Sequence, residues 1–321
     1  MSNFLSTDSA EKLLANENTL AVLRYESGVP AGDENASKQA ASPIRISAFA
    51  DQSAYEVWAS SAEVIDSGVS GNLHWRRTDR LQFIRICLPL SQEDDFQQTS
   101  YAGYMQLLEF IKASALPELI RFWNYLPFIN YGDGDDENYK RFCTGRLNAF
   151  VQCELTDLRF PSASAVGHYT QGLTICALTT ASPAQHLTNP RQVDAFKYPR
   201  QYGSSSPSFA RATTVRIGDE NLCFISGTAS ILGHSSVHQG DLRLQLYTTN
   251  DNILYLIEEA GFTPDSIQTM RVYLRNPSDF DECKSLVSEL YPDVNLIITH
   301  ADICRLELLV EIECFCAAQA E

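Results

Sequence analysis

No stretch of this 321-residue chain stays apolar over the roughly 20 residues that a membrane-crossing helix needs. Basic residues are scarce as well: Lys and Arg total 24 against 40 Asp and Glu, a formal net charge of −16. A field of that sign repels phosphate backbones and anionic lipid, which argues against nucleic acid and membrane surfaces as partners. It also repels anionic metabolites, so an anionic substrate needs local arginines to outweigh it. Met1 to Asn18 is polar and mixed in charge, without the basic start and apolar stretch of a secretory leader, so a cytoplasmic location is expected. No Cys-x-x-Cys pair occurs among the 9 cysteines, and most sit singly in apolar runs. That pattern reads as buried, reduced thiols rather than a disulfide framework or a zinc site.

Motifs of several enzyme classes are missing too. There is no Gly-x-Ser-x-Gly elbow, no phosphate-binding P-loop and no Gly-x-Gly-x-x-Gly fingerprint. Serine hydrolysis, phosphoryl transfer and nicotinamide chemistry therefore have no support. His234 and His238 are four apart, but Gly233, Ser235, Ser236 and Gly240 give their surroundings a loop composition. No Glu follows the first of them as a helical zinc motif requires, so no metal is expected.

What is present alternates between two periodicities. A short helix is expected near Glu11–Leu14, inside a polar segment that runs to residue 42. Strand-like runs follow at 44–50, 55–65, 72–77 and 81–90, with turn signals at Asp66-Ser-Gly and Thr78-Asp. Tyr104, Leu107, Leu108 and Ile111 repeat at helical spacing within 101–115. An aromatic segment covers 119–129, and 139–151 reads as a second helix. In the later half, 166–178 reads as a strand and 179–192 as a loop. A hairpin around Gly218 joins 214–217 to 222–226. The remainder reads as helix 242–260, strand 270–274, helix 280–290, and strands 296–303 and 308–316. The expected class is α+β, with mixed β-sheets and helices packed on one face. The expected division is an N-terminal α+β domain over 1–159 and a catalytic domain over 160–321. Both halves offer strands followed by long helices, which suggests a duplicated architecture without a residue-level repeat.

Three places could hold chemistry. On the last strand, Leu308, Val310, Ile312, Cys314 and Cys316 point one way and are apolar, whereas Leu309, Glu311, Glu313 and Phe315 point the other. Two carboxylates in that setting are either a solvated sheet face or a pair in a cleft. In a cleft, desolvation lets a carboxyl keep its proton near neutral pH and act as a general acid. The segment Tyr198-Pro-Arg-Gln-Tyr-Gly-Ser-Ser-Ser-Pro-Ser-Phe-Ala-Arg211 carries two phenols and two arginines, and arginine suits forked recognition of carboxylates. Arg146, after Tyr139 on a helical run, is a further candidate. Gly227, in a run of small residues, makes room for a ligand or for close packing.

These segments resemble the chorismatase family. The resemblance rests on Trp123-Asn-Tyr-Leu-Pro, Tyr139-Lys-Arg-Phe with Gly145-Arg146, and the whole of Tyr198–Arg211. It continues through Ile225-Ser-Gly-Thr-Ala-Ser-Ile and Cys304-Arg to Leu309-Val-Glu-Ile-Glu313. The ending also looks like the YjgF-like imine deaminases, so a YjgF-like (chorismate-mutase-like) C-terminal half is implied. The resemblance implies chorismate as substrate, pyruvate and a ring acid as products, no cofactor, and a monomer. Glu311 matches the family's proton donor. Cys304 and Gly227 match the positions that separate product types and look like the hydroxybenzoate-forming kind, giving 3-hydroxybenzoate with or without some 4-hydroxybenzoate. Arg211, Tyr198 and Arg146 match substrate-binding positions, with Tyr139 beside them. The competing readings are a hydrolase giving a dihydroxycyclohexadiene acid, an enamine or imine deaminase, and a binding module without turnover.

Overall fold

The computed structural model describes residues 1–27, 44–48, 55–155, 160–169 and 172–320. Its first sheet joins β1 (Ser2–Ser6), β2 (Thr19–Ser27), β3 (Ile44–Ala48) and β4 (Tyr55–Ala59) in the order β1-β4-β2-β3. Between β1 and β2 lies the short α1 (Ala10–Ala15), started by Ser9, whose side chain accepts from the Lys12 amide. Leu13 of α1 packs on Val22 and Val57.

The second sheet holds β5 (Asp66–Ser70), β6 (Leu73–Arg77), β7 (Leu81–Leu88), β8 (Glu118–Leu126), β9 (Ser162–Gly167) and β10 (Leu173–Thr180), ordered β5-β6-β7-β10-β8-β9. Two helices, α2 (Phe96–Ala113) and α3 (Asn138–Gln152), join β7 to β8 and β8 to β9. Helix α2 starts where the Asp95 carboxylate accepts the Gln98 amide. Its buried stripe of Phe96, Tyr104, Leu107, Leu108 and Ile111 follows the i, i+3, i+4 rule and faces the sheet.

The third sheet repeats this plan. It holds β11 (Ala184–Leu187), β12 (Ala212–Ile217), β13 (Glu220–Ala229), β16 (Ile267–Leu274), β17 (Asn295–His300) and β18 (Val310–Gln319), ordered β11-β12-β13-β18-β16-β17. A two-stranded ribbon, β14 (Ile231–Leu232) with β15 (Ser235–Ser236), follows β13, and α4 (Leu242–Glu259) and α5 (Phe280–Leu290) complete it. In both six-stranded sheets the first three strands form a meander. The fourth and fifth are parallel neighbours joined by a helix, and the sixth returns antiparallel between the third and the fourth. The architecture is therefore duplicated, though the residues are not.

Helices α2 and α3 cover one face of the second sheet, and α4 and α5 one face of the third. The opposite faces meet each other and the first sheet in a shared core of Trp58, Phe83, Trp123, Phe224 and Phe315. The rings of Trp58 and Trp123 lie 5.4 Å apart, and those of Trp58 and Phe315 5.2 Å apart. A buried charge network crosses the same core. Arg271 of β16 pairs with Glu56 of β4 and with Glu313 of β18, and Glu313 also takes Arg121 of β8 at 2.6 Å. One cation thus ties the first sheet to the third, and its carboxylate partner ties the third to the second.

Several expectations change. Strands β9 and β10, read from sequence as one strand of the later half, belong to the second sheet. The exchange from the second sheet to the third falls between Thr180 and Ala184. Asp66-Ser-Gly, read as a turn, opens β5, and the stretch read as a loop over 179–192 contains β11. Both strands are short edges, with too few residues to show a period of two. Strands β1 and β2 lay unseen in a polar segment, because their burial depends on sheets far along the chain. Residues 49 and 50, expected to extend β3, lie outside the described residues.

Candidate active site

Strand β18 carries Glu311 and Glu313 on the face turned away from α4 and α5, toward the second sheet. Both are buried, at 5% and 6% relative exposure, which removes the solvated-face alternative. Their surroundings differ sharply. Glu313 accepts from Arg121, Arg271, Ser164, Tyr273 and the Trp123 indole. Burial alone would raise its proton affinity, but Arg271, Arg121 and the Ser164 and Trp123 hydrogen bonds bring it below the usual carboxylate value. Glu311 is held by no hydrogen bond or ion pair among the described residues. Burial first, and the Glu313 charge second, push its pKa up to about 8 against the opposing pull of Arg121 and Arg211. At neutral pH Glu311 is a protonated acid beside an ionised neighbour.

Glu311 opens into a cavity of about 330 Å³. Across from it, β13 breaks register between Ile225 and Thr228, and Gly227 sits in that bulge. A Cβ on Gly227 would lie 2.0 Å from Glu311 Oε1, so no other residue fits with the carboxyl in place. The bulge is anchored from the second sheet: the Gly227 amide donates to Ser164 Oγ of β9 at 3.0 Å. Ser164 in turn accepts from Arg121 and donates to Glu313.

The cations come from two further elements. Arg211 stands before β12, its Nη2 donating to Val193 O at 2.7 Å and to the Tyr198 hydroxyl at 2.9 Å. Arg146 projects from α3 with its guanidinium 5.0 Å from the Phe142 ring centre. Among the described residues, Arg211 Nε and Arg146 Nε and Nη2 are buried without a partner. Buried guanidinium nitrogens without acceptors are costly, and an anionic ligand would satisfy them. The Cys304 thiol is raised to about 12 by burial and then by Glu311, so it is a neutral wall and not a nucleophile. Burial also holds the Tyr139 phenol neutral.

All seven residues singled out from sequence, Tyr139, Arg146, Tyr198, Arg211, Gly227, Cys304 and Glu311, line this one cavity. Sequence reasoning missed Arg305. Its guanidinium stacks 3.9 Å from the Tyr202 ring centre and 5.2 Å from that of Tyr198, while Nη1 donates to His234 O and Ser236 Oγ. It directly follows Cys304, so the motif contained it, but nothing local showed which way it points. Ser164 was missed as well; its signal was a strand of small residues, Ser162–Ala165. Four cations, Lys140, Arg146, Arg211 and Arg305, line the cavity against three carboxylates, Asp133, Glu137 and Glu307, and Arg146 and Arg211 bring unpartnered donors into it, a setting for a small anion.

Comparison with known proteins accords with this. Residues 56–179 match the family described as chorismatase FkbO/Hyg5-like, N-terminal. A 3-hydroxybenzoate synthase of Streptomyces hygroscopicus is 32% identical over 274 residues, spanning 80% of each chain. A chorismatase of the same organism is 30% identical over 275 residues, spanning 82% of this chain and 79% of its own. A crystal structure of a chorismatase superposes on 98% of this chain and of its own, with a TM-score of 0.84 at 27% identity.

Proposed function

This chain belongs to the chorismatase family, and from that premise we propose that it converts chorismate to pyruvate and 3-hydroxybenzoate, with Glu311 as the general acid. The observation that carries the reading is a buried carboxyl with its pKa near 8, facing a cavity whose arginines have unpartnered nitrogens.

Chorismate has two carboxylates and an enolpyruvyl ether. Arg211 and Arg146 take the carboxylates, and this exchanges unsatisfied buried donors for charge-assisted hydrogen bonds. Glu311 gives its proton to the methylene carbon of the enol ether, leaving an oxocarbenium ion and a carboxylate. The Glu313 charge disfavours a second anion beside it, so Glu311 holds its proton at neutral pH until the enol ether takes it, and readily takes one back. The ring hydroxyl then attacks the adjacent ring carbon. The bond from that carbon to the ether oxygen breaks, and its electrons complete the ketone of pyruvate. Glu311 recovers the proton that the hydroxyl loses. The resulting ring epoxide opens as its oxygen takes up a proton and a ring carbon gives one up, and the ring aromatises. The sum is one chorismate to one pyruvate and one hydroxybenzoate, with no water consumed. Cys304 and Gly227 shape the wall against the ring, Tyr198 fixes Arg211, and Tyr139 closes the apolar side. General acid catalysis supplies on the order of 100- to 10,000-fold, and holding the hydroxyl against its target supplies more.

The test is to incubate the purified protein with chorismate in the presence of a chelator, assay pyruvate, and separate the ring acids by chromatography. Pyruvate with 3-hydroxybenzoate is expected, and any 4-hydroxybenzoate above background reports a mixed product. Tight binding without pyruvate would overturn the reading in favour of a binding module, and ammonia release from an enamine in favour of a deaminase.

A further inference from the structure

Two surface segments wall the outer part of the cavity. One is the acidic turn 131–137, which contributes Gly132, Asp133, Gly134 and Glu137. The other is the run from Tyr198 to Pro207, which contributes Tyr198, Gln201 and Tyr202. Neither is a regular strand or a long helix. The first bends through Gly132 and Gly134, with φ of +96° and +59°. The two are joined side chain to side chain by a two-pronged ion pair. Arg200 Nη1 donates to Asp135 Oδ1 at 2.8 Å, and Nη2 donates to Oδ2. Beside it, Lys140 of α3 donates to Gly134 O at 2.7 Å and pairs with Glu137 at 3.0 Å. Thr144 and Ser204 lie within hydrogen-bond distance at 3.2 Å.

The chemistry inside has a competitor. If water reaches the oxocarbenium carbon, its oxygen adds there and the bond from that carbon to the ring oxygen breaks. Pyruvate then leaves, and the ring keeps its oxygen as a hydroxyl. The product is a non-aromatic diol, and one water is consumed. Internal attack wins only while water is kept out. We propose, resting on the reading above, that the Asp135–Arg200 pair is a latch across the cavity mouth that determines the share of substrate lost to this hydrolysis. The two residues are specificity-determining, not catalytic, because neither lines the cavity.

Both sit exposed, so the latch is weak and the expected effect is graded. In Asp135→Asn and Arg200→Gln the diol fraction rises about two- to fivefold, the range by which an exposed ion pair biases an open–closed equilibrium. The two variants separate a latch from a charge effect. Arg200→Gln leaves the acidic turn uncompensated and raises KM for the dianion, whereas Asp135→Asn lowers it; a latch raises the diol in both. High salt raises the diol in the wild type and leaves it unmoved in either variant. The exchange Asp135→Arg with Arg200→Asp restores the wild-type ratio. An unchanged diol fraction in both single variants, or one that tracks the sign of the charge removed, overturns the latch. A second measurement does not need turnover: hydrogen–deuterium exchange of the backbone amides of 131–138, read by peptide mass spectrometry against those of α5, is faster in both variants. Equal exchange of that segment in wild type and variants overturns the latch on its own. A wild type that releases no pyruvate overturns the proposed function instead, and the exchange measurement still decides the latch.

Discussion

Gly227 and Glu311 share one space: a Cβ on the glycine would meet the carboxyl oxygen at 2.0 Å and its carbon at 2.7 Å. The bulge in β13 and the absence of a side chain there are what let the acid stand in its cavity.

Gly227→Ala therefore displaces the Glu311 carboxyl instead of unfolding the protein, because the clash is with the end of a side chain. Thermal stability should stay within about 1 kcal/mol of wild type, while turnover falls. With Cys304→Ala added, chromatography should show product shifting from hydroxybenzoate to the non-aromatic diol. An unchanged profile would refute the role given to these two positions.

Glu311→Gln should bind chorismate with near-normal affinity and lose on the order of 100- to 10,000-fold in kcat. The amide keeps the shape but has no acidic proton. Calorimetric binding together with a pyruvate assay checks both halves, and retained kcat would remove Glu311 from its role.

The acid must be protonated to work, so kcat/KM should be flat below the Glu311 pKa of about 8 and fall about tenfold per pH unit above it. Glu313→Gln removes the second contributor to that shift, so the falling limb should move to lower pH. The same shift bears on stability. Between the ordinary carboxyl value of 4.5 and about 8, the folded state holds a proton that the unfolded chain has lost. The stabilisation from that proton is complete below the lower value and disappears through the upper one. Glu311→Gln should accordingly gain thermal stability relative to wild type as pH rises across this window.

Arg211→Ala should raise KM about 10- to 100-fold with a smaller change in kcat, from loss of a charge-assisted contact to a carboxylate. Steady-state kinetics decides it, and an unaltered KM would exclude Arg211 from the anion site.

Arg271→Leu should be far more disruptive to the fold. It strips Glu56 and Glu313 of a shared buried partner, and breaking a buried pair from one side costs about 3–5 kcal/mol. Denaturant unfolding should show that loss, and it should be smaller when Glu56→Gln is added.

Much of this protein is legible in its order of residues. Helix α5 matches its expected span, 280–290, and the hairpin around Gly218 and the apolar stripe of α2 follow from local spacing and turn chemistry. So does the alternation that sets Glu311 and Glu313 on one face of β18, and the seven cavity-lining residues singled out from sequence are all marked by their motifs. The sequence is silent where contacts are long-range. Strands β1, β5 and β11 take their character from partners elsewhere in the chain or from a sheet edge. Arg305 sits within a known motif, yet only folding stacks it on Tyr202. The two glutamates make the point most plainly. Two residues apart, chemically identical and equally buried, they have no local difference that assigns one the proton and the other the charge. Folding assigns it by bringing Arg271 and Arg121, from 42 and 192 residues away in sequence, to Glu313, while Glu311 is left facing the cavity. Covalent order fixes which groups exist and which face they take; proton affinity depends on desolvation and on charges within a few ångströms, and those exist only once the three sheets have closed.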